Sequence, residues 1–273
     1  MSTFRMAMIQ MDSQNDKEAN RTKIDRMLDE AAERGADFCC LSEEVTYIGL
    51  GEPAHADTIP GPFTEFFAEK ARKHHYWLNC GSMIEKIPGN DKQVYNTSLV
   101  FNPQGEIVAK YRKIHMYDVD IPGGVSYKES DFHKRGDKVV TFDTEYGKMG
   151  LSVCYDMRFP ELYRLLALKG AKVIFVPACY MMFTGKDHWD VIMRARAIEN
   201  QCYIVAVDQI GIKKGLNNAQ SYGRSLIADP WGNIIAKAPD RECVVCADID
   251  MDYLEQVRRN LPSLSNRVPE AYK

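Results

Sequence analysis

The segment Gly150-Leu151-Ser152-Val153-Cys154-Tyr155-Asp156-Met157-Arg158-Phe159-Pro160-Glu161-Leu162 changes character within a few residues. The apolar run over Met149–Val153 reads as a buried strand ending at Cys154, and a short polar elbow follows. Pro160 stands near the first position of a helix over Pro160–Lys169, where its missing N–H costs nothing. Lys172–Pro177 then reads as the next strand, so the stretch is a β-elbow-α-β unit. A cysteine at such an elbow is held out of the core near a helix N-terminus, a setting that lowers a thiol pKa. Most cysteines are simply buried small hydrophobes, and the elbow alone leaves both readings open.

The same alternation runs outward in both directions. Phe4–Met11 reads as a strand and Lys17–Arg34 as an amphipathic helix, with Ile24, Met27, Leu28 and Ala31 on one stripe. Gly35 stops that helix, and Asp37–Ser42 is the next short strand. The helix Phe63–His74 leads into the strand Tyr76–Gly81. Val94–Phe101 and Glu106–Tyr111 flank the turn Asn102-Pro103-Gln104-Gly105 as a hairpin. Beyond the elbow come the helix His188–Asn200, with Trp189, Ile192, Ala195 and Ile198 on one stripe, and the strand Tyr203–Asp208. Leu226–Asp229 pairs with Asn233–Lys237 around Pro230-Trp231-Gly232. The strand Val244–Ile249 and the helix Asp252–Asn260 finish the list. This is an α/β chain with about six strands in βα units and two hairpins. It is most simply one domain over 1–273, whose tail (about 261–273) packs on the core or on a partner subunit.

Composition narrows the function. The 273 residues are 45% hydrophobic and 27% charged, a globular mix with material for a large core. Thirty-five Lys and Arg against 38 Asp and Glu give a charge of −3, which removes the electrostatic case for a nucleic-acid or membrane-surface partner. The longest stretch without a central charge, Val173–Gly185, is too short to span a bilayer and contains Pro177. The first residues lack a basic segment followed by an apolar one, and eight cysteines at irregular spacing are no disulfide scaffold. A reducing, cytoplasmic location is the expectation.

Several motif-like patterns carry no chemistry. Gly223-Arg224-Ser225-Leu226-Ile227 lacks the final glycine of a nucleophile elbow, so Ser225 reads as a strand serine. Cys243 and Cys246 have metal-like spacing but point to opposite faces of a strand, with no second Cys/His pair nearby. His74-His75 reads as solvated histidines at a helix end. Phosphate loops, dinucleotide fingerprints and H-E-x-x-H are absent from the sequence, so neither a cofactor nor a metal is expected.

Two further segments place reactive groups at strand ends. In Asp37-Phe38-Cys39-Cys40-Leu41-Ser42-Glu43-Glu44, alternation sends Glu43 and Glu44 to opposite faces, so one glutamate alone would enter a site. In Lys110-Tyr111-Arg112-Lys113-Ile114-His115, Tyr111 and Lys113 share one face, and Lys110 and Arg112 share the other. An inward Lys113 competes there with a solvated strand edge.

Taken in order, Glu43, Lys113 and Cys154 resemble the Glu–Lys–Cys triad of the nitrilase, or carbon–nitrogen hydrolase, superfamily. The likeness extends through Tyr111-Arg112-Lys113-Ile114-His115, Asp120-Ile121-Pro122-Gly123, Lys128-Glu129-Ser130 and Cys154-Tyr155-Asp156-Met157-Arg158-Phe159-Pro160-Glu161. It continues in Thr184-Gly185-Lys186-Asp187-His188-Trp189, Arg194-Ala195-Arg196-Ala197-Ile198-Glu199-Asn200-Gln201 and Asp229-Pro230-Trp231-Gly232, nearly the whole chain. It is most similar to the branch of omega-amidases and deaminated-glutathione amidases. The resemblance implies a four-layer α-β-β-α sandwich, a homodimer or higher homo-oligomer, and a small-molecule amide substrate. One position departs from the pattern: Ser42 stands where the family usually has proline. Glu44 leaves the register formally ambiguous, and the spacing from the strand favours Glu43.

On this reading Cys154 is the nucleophile and Glu43 the base that burial would raise in pKa. Lys113 and the backbone N–H of Tyr155 would hold the oxyanion. Glu129 matches a second family carboxylate that orients the lysine; a surface loop glutamate is the alternative. Arg158 either binds a substrate carboxylate or forms an ion pair with Asp156 or Glu161. Tyr180 is a pocket wall or a core aromatic, and Met181, Met182 and Phe183 line a pocket or a subunit contact. The expected activity is hydrolysis of the terminal amide of a small carboxylated metabolite. The alternatives are a nitrilase or N-carbamoyl amidohydrolase with the same triad, and, without catalysis, an interaction protein or a redox sensor working through Cys154.

Overall fold

The computed structural model describes residues 3–122 and 126–272. Gly123, which closes the Asp120–Gly123 motif, lies outside them, as do Met1, Ser2 and Lys273.

The first half of the chain builds one sheet and its helices. In order come β1 (Thr3–Gln10), α1 (Lys17–Glu33), β2 (Phe38–Leu41), α2 (Glu52–His55), α3 (Pro62–His74), β3 (Trp77–Asn79), β4 (Met83–Ile87), β5 (Asn90–Phe101) and β6 (Ile107–Arg112). A small hairpin of β7 (Asp118–Asp120) and β8 (Ser126–Lys128) leads to the second half: β9 (Thr141–Thr144), β10 (Gly147–Leu151), α4 (Pro160–Leu168), β11 (Val173–Ala178), α5 (Met182–Asn200) and β12 (Tyr203–Asp208). The hairpin β13 (Ile210–Lys213) with β14 (Ala219–Tyr222) precedes β15 (Leu226–Ala228), β16 (Ile234–Lys237), β17 (Cys243–Asp250) and α6 (Met251–Asn260).

One sheet has the order β17-β1-β2-β3-β5-β4 with β6 also on β5, and the other the order β16-β15-β12-β11-β10-β9. β17 returns to pair antiparallel with β1, Asp250 opposite Thr3, so the end of the domain closes its beginning. Both faces of β2 and of the Met6–Ile9 part of β1 are covered, which is why these stretches are wholly apolar. Cys39 and Leu41 pack with Ile24 and Leu28 of α1 and Phe67 of α3. Phe38 and Cys40 face the other way into the second sheet's core, where the Phe38 and Phe175 rings stack at 4.9 Å. Leu162, Leu166, Trp189 and Met193 of α4 and α5 cover that second sheet. The result is the α-β-β-α sandwich. Each fully buried large apolar side chain contributes on the order of 1.5–3 kcal/mol to it.

The hairpins of β5/β6 and β15/β16 form as expected. The Asn102 side chain holds the first turn by accepting from the N–H groups of Gln104 and Glu106, and Gly105 takes φ +76°. Other features differ from the expectation. The count of about six strands plus two hairpins falls short, because β4, β7, β8, β9, β13 and β14 are only three to five residues long and mix polar with apolar positions. In β4 the charged Glu85 is buried against Lys110 and Arg112, which hides the strand's pattern. Helix α5 begins at Met182 rather than His188. Its buried face is Trp189, Met193, Arg196, Ala197 and Asn200, and Ile198 is 47% exposed. The expected stripe advanced by threes, and at 3.6 residues per turn such a row walks off the face. His74 is not solvated either: its Nε2 lies 2.6 Å from Asp29, and its ring stacks on Tyr76. In the tail, Leu264 packs against the core of the second sheet, and the Leu261 carbonyl accepts from Gln201.

Candidate active site

β2, β10 and β11 bring their C-terminal ends together between the two sheets, and the loop after β6 joins them. The nucleophile candidate lies three residues beyond the end of β10. Cys154 adopts φ +47°, a left-handed conformation that a non-glycine residue holds only where its surroundings enforce it. Here the enforcing group is Asp156, fully buried, whose carboxylate accepts from Val153 N at 2.8 Å, Tyr111 Oη at 2.6 Å and His115 N at 3.1 Å. Arg196 of α5 adds a bond from its Nε to the Met157 carbonyl at 2.9 Å.

Lys113 follows β6 and is 3% exposed. Its Nζ donates to Glu43 Oε1 at 3.0 Å and to both Glu129 oxygens at 2.8 and 2.9 Å. Glu43 also accepts from Asn96 Nδ2 at 2.8 Å and from Cys179 N at 2.7 Å, and its carbonyl accepts from Gln209 at 2.8 Å. Glu129 is buried and takes the Tyr117 N–H, so it is no surface glutamate. Burial alone would push the Lys113 ammonium down; the carboxylates of Glu129 and Glu43 outweigh it and hold the pKa well above the ordinary value.

Cys154 goes against the expectation. It is 8% exposed and belongs to the core, and its thiol pKa is pushed well above normal, first by burial and then by the charge of Glu43. Lys113 offsets only part of this. The anticipated lowering by a helix N-terminus fails because α4 starts six residues later and the thiol sits beside a carboxylate. Burial and the Glu43 charge thus both favour the neutral thiol.

These side chains line one cavity of about 400 Å³, closed by Tyr117, Tyr127, Tyr155, Cys179, Tyr180, Met181 and Thr184 among others. Glu44 lines it as well, which overturns the expectation that a single glutamate could enter. β2 ends at Leu41, and Glu44 turns at φ +52°, so strand alternation no longer governs where the two carboxylates point. Ser42 is fully buried.

Tyr180 is both buried and a cavity wall, held by its N–H bond to Asp208 at 2.7 Å. Arg158 stands behind that wall. Its guanidinium lies 5.7 Å from the Tyr155 ring and 5.4 Å from the Tyr180 ring, bonds the Tyr180 hydroxyl and approaches His188 Nδ1 at 3.4 Å. The alternative of an ion pair with Asp156 or Glu161 is not formed, because Tyr111 and His115 already occupy Asp156. Met181 lines the cavity, whereas Phe183 is 51% exposed.

Three buried groups went unremarked in the sequence: Asn96 beside Glu43, and Glu52 with His133 beside Glu44. Burial and neighbouring carboxylates push the Glu52 carboxyl up to about 8, and burial lowers His133 to about 4. A Val-Tyr-Asn run and a histidine after a 3-10 turn give no periodic signal that would mark them.

A buried cysteine, a lysine and paired glutamates line one small cavity, residue types that together can support thiol-dependent hydrolysis. The family model for carbon-nitrogen hydrolase matches residues 5–259, and the chain belongs to that family. It is a hydrolase acting on non-peptide carbon–nitrogen bonds. It is 36% identical to omega-amidase NIT2 of Mus musculus over all of this chain and 98% of the relative. It is 38% identical to deaminated glutathione amidase of Dictyostelium discoideum, over 98% of this chain and 95% of that one. The crystal structure of the C. elegans NitFhit protein superimposes with a TM-score of 0.92 at 36% identity, covering 100% of this chain and 67% of the other. Saccharomyces cerevisiae Nit3, described as a member of branch 10 of the nitrilase superfamily, gives 0.87 at 30% identity, covering 96% and 95%. Among the described residues, no helix is long and apolar enough to cross a membrane.

Proposed function

We propose that this chain is a thiol amidase that hydrolyses the terminal carboxamide of a small carboxylated metabolite to acid and ammonia. The observation carrying the reading is the convergence of Cys154, Lys113, Glu43 and Glu129 on one cavity of metabolite size. The names of the relatives, omega-amidase and deaminated glutathione amidase, support the amide class and the small acid.

Because the thiol is neutral at rest, Glu43 takes its proton as the sulfur attacks the amide carbon. The negative charge that develops on the carbonyl oxygen meets the Lys113 ammonium and the backbone N–H of Tyr155. Glu129 keeps Lys113 charged and fixed, so no reorganisation is needed at that moment. Glu43 returns the proton to departing ammonia, leaving a cysteinyl thioester. It then activates a water molecule, whose attack releases the acid and restores the thiol. Arg158, with no carboxylate partner among the described residues, supplies from behind Tyr155 and Tyr180 the positive charge that draws the substrate's carboxylate to that side of the cavity. A cytoplasmic homodimer, with part of the tail near 261–273 at the contact, completes the proposal.

The test is ammonia release from alpha-ketoglutaramate, succinamate, glutamine, deaminated glutathione, N-carbamoyl amino acids and an aliphatic nitrile. Turnover of a monoamide acid by the native chain, absent in Cys154→Ala, is the expected result. Turnover of the nitrile or carbamoyl compounds alone, or of no compound at all, would overturn it.

A further inference from the structure

Outside the machinery assigned above, Glu44, Glu52 and His133 converge from three separate segments: the turn after β2, the start of α2 and the loop following Glu129–Asp131. His133 Nε2 lies 3.2 Å from Glu52 Oε2 and 3.7 Å from Glu44 Oε1, and one donor atom of each residue lies within 4.8 Å of the others. His133 is 2% exposed, and neither of its ring nitrogens has a hydrogen-bond partner among the described residues; Glu52 Oε2 has none either. Buried polar groups are nearly always satisfied, so an imidazole aimed without bonds at two carboxylates calls for a shared ligand or proton. The nearby ammonium, Lys113, is already divided between Glu43 and Glu129.

We propose that Glu44, Glu52 and His133 form a site for a divalent transition metal of the zinc or cobalt(II) type, open to the cavity at Glu44. Four-coordinate ions with metal–nitrogen and metal–oxygen bonds of about 2.0–2.1 Å hold neighbouring donor atoms roughly 3.3 Å apart. The observed 3.2 and 3.7 Å are close to that spacing, and all three donor atoms lie within 4.8 Å of one another, so binding would draw Glu44 inward. An imidazole with two carboxylates suits zinc-like ions better than magnesium or calcium, which favour all-oxygen surroundings. Three protein donors leave one position free for water or another ligand, and Glu44, alone of the three, lines the substrate cavity. Bound there, the ion would join the turn carrying Glu43, helix α2 and the loop after Glu129. The competing arrangement is a proton carried by Glu52 and donated to His133.

The experiment is a titration of the chelator-treated full chain with cobalt(II) chloride, followed by visible ligand-field absorption and calorimetry. The expected result is one cobalt per chain with a four-coordinate spectrum, displaced by zinc. Affinity should fall about tenfold or more in Glu52→Gln, which keeps the shape of the side chain, and binding should be lost in His133→Leu. Cys154→Ala should keep the spectrum. Absence of binding in the native chain, or equal affinity in Glu52→Gln, would overturn the site in favour of the shared proton. Loss of the spectrum in Cys154→Ala would overturn it in favour of a thiolate complex.

Discussion

The hydroxyl of Tyr111 donates to Asp156 at 2.6 Å, joining the strand that leads to Lys113 with the turn that carries Cys154. The bond spans the two sheets of the sandwich and is fully buried, so it fixes the distance between ammonium and thiol. Tyr111→Phe removes the donor without changing the ring. The expected outcome is a stability loss of about 1–3 kcal/mol for the unpaired carboxylate oxygen. A misplacement of even a fraction of an ångström should also lower kcat roughly 10- to 100-fold with little change in KM. Steady-state kinetics on a panel substrate, beside a denaturant titration, checks both; an unchanged kcat in the destabilised variant would show that Tyr111 only supports the fold.

Glu43 and Cys154 invite a test in which two reactivities move in opposite directions. The Glu43 charge helps raise the thiol pKa above its ordinary value, and Lys113 lowers it. With the pKa raised, thiolate is scarce at neutral pH and appears only as pH climbs past the normal thiol range. The native chain should therefore react slowly with iodoacetamide at pH 7. Glu43→Gln leaves Lys113 less opposed, so the thiol pKa should fall and alkylation of Cys154 should quicken. Amide hydrolysis should drop about 10²- to 10⁴-fold in the same variant, since the base is gone. Intact-mass kinetics of alkylation against pH, read beside ammonia release, decides the matter. Parallel losses in both would remove Glu43 from the role of base.

The legible part of this site was the part written in local patterns. The strand, polar turn and Pro160 around Cys154 and the shared face of Tyr111 and Lys113 each left a bland alternative open, and it was the likeness to the carbon–nitrogen hydrolases that joined them with Glu43. The protonation of Cys154 was not legible, since it depends on burial and on Glu43, which lies over a hundred residues away in the chain. The entry of Glu44 was hidden for a different reason: a positive φ ends strand alternation, and sequence spacing carries no sign of it. Asn96 and His133 reach the cavity region through tertiary packing alone. In the fold, the long apolar strands read correctly because both faces are buried, whereas β4 was lost because its glutamate is neutralised by partners on β6.

That buried glutamate gives a pH prediction. Glu85 accepts from Lys110, from Arg112 at 2.7 and 2.9 Å and from Thr97 at 2.6 Å. Burial alone would raise its pKa, but these partners prevail and hold it below the ordinary glutamate value. A depressed folded pKa means stability that is present above the unfolded value near 4.5 and is lost as pH falls through the folded value. Removing one partner of a buried pair costs about 3–5 kcal/mol; the partial exposure of Lys110 and Arg112 reduces this to roughly 1–3 kcal/mol for Glu85→Gln. Thermal unfolding from pH 3 to 7 should show a shallower acid decline in the variant, the two curves converging at the acid end. A constant offset at every pH would mean that the loss is steric.

Arg158 offers the sharpest test of substrate class, because its surroundings distinguish a guanidinium from an ammonium. The planar group lies near the rings of Tyr155 and Tyr180 and bonds the Tyr180 hydroxyl, and a guanidinium can offer its other N–H groups to a carboxylate as a fork. Lysine keeps the charge but loses the fork and the face-on packing. Arg158→Lys should therefore weaken carboxylated amides by about 1.5–3 kcal/mol, roughly 10- to 100-fold in KM. Neutral amides of the same length have nothing to lose at that contact, so their kcat/KM should stay within about threefold. Measuring succinamate against butyramide in both chains separates the possibilities. An equal loss for the two substrates would show Arg158 holding the Tyr180 wall in place rather than the carboxylate, and an unchanged KM for succinamate would move the search for the anchor to the Asn217 and Thr184 side of the cavity.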